Sequence, residues 1–66
     1  MESIWIEILF DGQPVENIIA NNMMEANDLI KSIEDNGFSE MNEEIKEYWL
    51  SLGFSNNPKV TARLTK

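Results

Sequence analysis

The sequence contains no cysteine and no histidine. The first absence excludes disulfides and thiolate metal sites. The second removes imidazole as a metal ligand and as a near-neutral acid or base. Basic residues are also scarce, with 5 Lys and Arg against 12 Asp and Glu, a formal net charge of −7. Such a chain lacks the basic face that phosphate contacts need, so neither direct nucleic-acid binding nor attachment to an anionic membrane is expected. No apolar run approaches the roughly 18 residues of a membrane-spanning helix. Met1 and Glu2 lead into an alternating segment, without the basic region and apolar run of a secretory signal. The expectation is a cytoplasmic protein, or one of the host cytoplasm if the chain is virus-encoded.

Length is the next shortage. The 66 residues leave room for a single compact domain over residues 1–66. A chain of this size buries only about 60% of the surface it exposes when unfolded. With no covalent staple, stability has to come from packing, from helix caps or from association with another chain.

What the sequence does have is periodicity, carried by 42% hydrophobic residues. From Ser3 to Phe10 the chain alternates, with Ile4, Ile6, Ile8 and Phe10 on one face and Ser3, Trp5, Glu7 and Leu9 on the other. Asp11-Gly12 supplies two residues that tolerate the positive φ of a hairpin turn. Pro14 to Ala20 forms a second strand, with proline at its start where a missing donor is tolerated. A two-residue turn would set Glu7 opposite Glu16, a like-charge pair that sheets avoid, and a longer loop through Gln13 would relieve it. The sequence leaves that register open.

Two helices follow. Asn22 is placed to cap the first, with Glu25 in capping-box position, and Ala26, Leu29, Ile30 and Ile33 make one stripe. Gly37 ends it, with Phe38 returning to Ile33 in a Schellman arrangement. Ser39 or Asn42 caps the second, whose stripe is Met41, Ile45, Tyr48, Trp49 and Leu52. Gly53 stops it and sets Phe54 against Trp49. Ser55 to Pro58 is a turn, and Lys59 to Thr65 alternates with Val60, Ala62 and Leu64 inward. The order is β-β-α-α-β. A right-handed crossover then predicts an α+β domain, a three-stranded antiparallel sheet of order 2-1-3 with both helices on one face. The predicted core is Ile4, Ile6, Ile8, Phe10, Ala26, Leu29, Ile30, Ile33, Phe38, Ile45, Trp49, Leu52, Val60 and Leu64.

Catalysis finds little support. Without His or Cys, a serine nucleophile would need a lysine base, and neither Lys31 beside Ser32 nor Lys46 near Ser51 sits in a supporting motif. Acid/base work by carboxylates needs one of them desolvated, and so small a domain has little interior for that. The acids at 40, 43, 44 and 47 do not follow the order of a calcium loop. No enzyme activity, cofactor or metal is expected. Leu52-Gly53-Phe54-Ser55 resembles the Met-Gly-Phe loop of ubiquitin-associated domains, which implies a ubiquitin contact there. The resemblance covers four residues. Those domains are three-helix bundles, whereas this chain opens with strands.

Surface chemistry is what remains. Glu43, Glu47 and Leu50 lie opposite the stripe of the second helix, flanked by Glu40 and Glu44. Trp5 and Leu9, with Ile18, stand on the uncovered sheet face beside Thr61 and Arg63. The charge is segregated, since Lys59, Arg63 and Lys66 crowd the last strand while residues 1–57 hold all the acids. Either that strand pairs internally with Glu7 and Glu16, or neighbouring copies attract as a homodimer; internal pairing is the simpler. The expected partner-binding residues are therefore Glu40, Glu43, Glu44, Glu47, Leu50 and Trp5. The expected partner is another protein with a basic surface, such as one that handles nucleic acid. Small acidic inhibitors encoded by phages and mobile elements, anti-CRISPR proteins among them, share this character without a shared motif. The alternative is an accessory or assembly subunit of a larger cellular complex, binding through the sheet face or a strand edge.

Overall fold

The computed structural model describes residues 3–65 of the chain. Its elements run β1 (Ile4–Phe10), β2 (Gln13–Ala20), α1 (Met23–Asn36), a 3₁₀ turn (Phe38–Glu40), α2 (Glu43–Ser51) and β3 (Val60–Thr65). The three strands form one antiparallel sheet in the order β2-β1-β3. The predicted α+β architecture is the one observed.

Asp11 (φ 50°) and Gly12 (φ 82°) make the tight turn between β1 and β2, both with positive φ. Pairing begins as that turn dictates, with Phe10 opposite Gln13 and Leu9 opposite Pro14. It then shifts by one residue, so that Ile8 meets Glu16 and Glu7 meets Asn17. Val15 is the extra residue of a β-bulge. The bulge settles the register question. It keeps the two-residue turn and still separates Glu7 from Glu16. It also brings Ile18 opposite Ile6 and Ala20 opposite Ile4, onto the face that the helices cover.

The caps fall where the side chains predict. Oδ1 of Asn22 accepts from Glu25 N–H (2.8 Å), while Glu25 reaches back to Asn21 N–H (3.2 Å). At the other end, Gly37 N–H donates to Ile33 O (3.1 Å). Gly37 sits at φ 74° and ψ −167°, so the chain leaves in an extended direction and not through the left-handed helical region of a Schellman motif. Phe38 still reaches the core beside Ile33. Asn42 caps α2 through Glu44 N–H (2.7 Å), and Ser39 belongs to the preceding 3₁₀ turn.

The core has two adjoining parts. Ile8, Phe10, Phe38, Trp49 and Val60 form one, with Ile45 of α2 packed against it. Ile6, Ala20, Ala26 and Ala62 form the other, beneath Leu29 and Ile30 of α1. Phe10 meets the rings of Phe38 and Trp49 edge to face, each with centroids 5.3 Å apart. Trp49 Nε1–H, carried inward by the ring, donates to Ser55 O (2.9 Å), and Phe54 stacks on the same ring at 4.5 Å. That stack occupies the end of α2 and leaves Leu52, expected inside, about half exposed (49%). Leu64 is 44% exposed, on an edge strand with a neighbour on one side only. Leu9, absent from the predicted core, is buried on the far sheet face between Pro14 and Thr61, its partners on the flanking strands. A three-stranded sheet is not the three-helix bundle of a ubiquitin-associated domain, and Gly53-Phe54 is the stop of α2.

Candidate protein-binding face

Helix α2 and the turn before it place four carboxylates in solvent. Glu40, Glu43, Glu44 and Glu47 are all exposed, as is Leu50 among them. Asn42 starts the helix immediately before Glu43 and Glu44, so both lie in its first turn, at the positive end of the helix dipole. Lys46 tempers the cluster. Its Nζ lies 3.0 Å from Oε2 of Glu43 and donates to Ser39 O (3.2 Å). Glu40, Glu44 and Glu47 form no ion pair among the described residues.

The register shift adds a member that the sequence did not reveal. An open groove of about 410 Å³ runs between the bulged part of β2 and α2, lined by Val15, Glu16, Asn42, Glu44, Ile45 and Tyr48. Val15 and Ile45 turn inward to the core, and Tyr48, predicted as part of the buried stripe, is instead 57% exposed at the groove. Glu16 contributes a carboxylate from the strand and Glu44 one from the helix. A groove lined by apolar and aromatic side chains together with two carboxylates suits a lysine or arginine side chain, whose stem is apolar and whose head is cationic.

The other expected site is on the far side of the sheet. Trp5 is 45% exposed there, between Ile19 of β2 and Thr65 of β3. Ile18 does not join it, because the bulge turns Ile18 inward and puts Ile19 (49% exposed) beside Trp5. Arg63 Nη2 lies 2.7 Å from Oε1 of Glu7, its partner across the ladder. The basic strand thus pairs internally with Glu7, as the simpler reading held. It does not pair with Glu16, since β2 and β3 flank β1 on opposite sides. Lys66, the last of that basic group, lies outside the described residues. Trp5 and the acidic cluster of α2 thus stand on opposite faces of the sheet.

Among the described residues, no charged side chain is buried and no group of three or more acidic side chains is arranged to hold a metal ion. Among the described residues no helix is long and apolar enough to cross a membrane. Comparison of the chain with protein-family models, curated proteins and solved structures finds no match.

Proposed function

We propose that the protein is a non-catalytic, stoichiometric binder that docks the acidic face of α2 on a basic surface of another protein. The observation that carries this reading is the groove between β2 and α2, which Glu16 and Glu44 line together with Val15, Ile45 and Tyr48. Two elements far apart in sequence converge there on the same recognition chemistry. Glu40, Glu43 and Glu47 extend the negative field around it, and Leu50 offers an apolar contact within that field. Proteins that handle nucleic acid carry the basic channels such a face would fit, because they neutralise phosphate. An inhibitor of phage or mobile-element type, occupying such a channel in place of the nucleic acid, is the form of action we favour. The working compartment would then be the cytoplasm in which that partner acts.

A second reading draws on the exposed pair of Trp5 and Ile19, a sheet-face surface suited to an accessory subunit of a larger complex. Salt separates the two. Acidic docking weakens steeply with ionic strength, and apolar docking does not. The test compares Glu43→Gln/Glu44→Gln/Glu47→Gln with Trp5→Ala against one captured partner. The triple variant should keep its fold, since surface substitutions stay within about 0.5 kcal/mol. Its binding at low salt should fall at least tenfold, about 1.4 kcal/mol. Parental binding by the triple variant, with loss in a folded Trp5→Ala protein, would transfer the function to the sheet face.

A further inference from the structure

The two edges of the sheet are finished differently. On β3, Ala62 N–H donates to Oε2 of Glu34 on α1 (3.1 Å), so a helix side chain covers that edge at mid-strand. The bonding pattern of the ladder shows which groups of β2 face out. Asp11 N–H donates to Lys59 O (2.8 Å), while Ala62, opposite Ile8, turns its N–H away from β1. In an antiparallel ladder successive residues of a central strand bond alternately to its two neighbours. Ile6 and Ile8 therefore bond towards β2, and Trp5 and Glu7 towards β3. Their partners Asn17 and Ile19 consequently direct N–H and C=O out of the sheet. Pro14 has no N–H to offer at this edge, and Asn21 N–H is already taken by Glu25 (3.2 Å). Asn17 and Ile19 form an open window between two closed ends, and no hydrogen bond from another described residue reaches their backbone groups.

We propose that this window receives an extended basic segment of the partner as an added strand, with basic residues alternating with apolar ones. The proposal rests on the acidic-face reading above and gives the partner a conformation. Side chains on one face of the added strand would lie on the helix side of the sheet, towards Glu16 and Glu44. Those on the other face would lie beside Ile19 and Trp5, both about half exposed. A second copy of this chain is a poor occupant, because it would bring one charge of −7 against another. The nearest cations of the sheet, Lys59 and Arg63, stand on or next to β3, beyond β1.

The probe is a ten-residue peptide of alternating lysine and valine, tested beside the same peptide with every backbone nitrogen methylated. The unmethylated peptide should bind and slow hydrogen exchange at the Asn17 and Ile19 amides at least tenfold. Methylation keeps the charges but removes the donors, and should weaken binding at least tenfold. Asn17→Pro should weaken binding equally while leaving the unfolding midpoint near the parent's, because β1 does not use that N–H. Equal binding of the methylated peptide, or failure of both peptides to bind, would overturn strand addition. So would protection of the two amides that appears with protein concentration alone, which would assign the edge to a second copy. If both peptides bind equally and the triple Gln variant loses both, strand addition fails while acidic docking stands.

Discussion

Gly37 and Gly53 stop the two helices with positive φ (74° and 85°), and in neither case would an added Cβ meet another atom within 4 Å. The cost of a side chain at these sites is therefore conformational and owes nothing to crowding. Gly37 combines its φ with ψ −167°, a region that other residues hardly enter, so strain there should be the larger. Gly53→Ala should destabilise by about 1 kcal/mol and Gly37→Ala by about 1–2 kcal/mol. Thermal unfolding of the two variants checks both size and order. Midpoints equal to the parent's would mean that the chain relaxes to negative φ without loss.

Among the elements, β2 decides most of what the sequence left open. Its bulge makes Val15 supernumerary. Deleting Val15 should leave every pair from Ile8–Glu16 to Ile4–Ala20 intact, and only the partial burial of one valine is lost. A loss of about 1–2 kcal/mol in a folded protein is expected. Deleting Asn17 is different. Closing the bulge then keeps Ile18 opposite Ile6 and Ala20 opposite Ile4, but it sets Val15 opposite Ile8 and Glu16 opposite Glu7, the like-charge pair that the bulge avoids. That protein should lose stability at low salt and recover part of it as salt screens the pair, a dependence the Val15 deletion lacks, and denaturant titration at two ionic strengths distinguishes them. The elements, caps and sheet order were legible because alternation, helical stripes and Asn caps are local signals. The bulge was not, because Ile18 and Ile19 are equally apolar and either could face the helices. The conflict of Glu7 with Glu16 was its one trace. The groove depends on that register and was hidden with it. Leu52 and Leu64 show a second limit, since periodicity assigns a face without saying how far the neighbouring element extends.

For the whole molecule, ten buried hydrophobic residues among those described form the core, in a chain with no disulfide. Ile6 is fully buried at the centre of the sheet, and Ile6→Ala should cost about 2–5 kcal/mol. That is a large fraction of the stability of so small a domain, and circular dichroism should find the variant largely unfolded at 37 °C. Ile30, half-buried over the same cluster, should cost less when truncated. The strand order carries a consequence for synthesis. Strand β1 is made first and lies in the middle, but one of its two neighbours is β3, whose last described residue is Thr65. On the ribosome the hairpin and α1 can emerge and form local contacts, yet the central strand must keep one side bare until β3 clears the exit tunnel. Completion of the sheet thus waits for the last of its three strands. Until then the open edge of β1 is within reach of chaperones and of other chains.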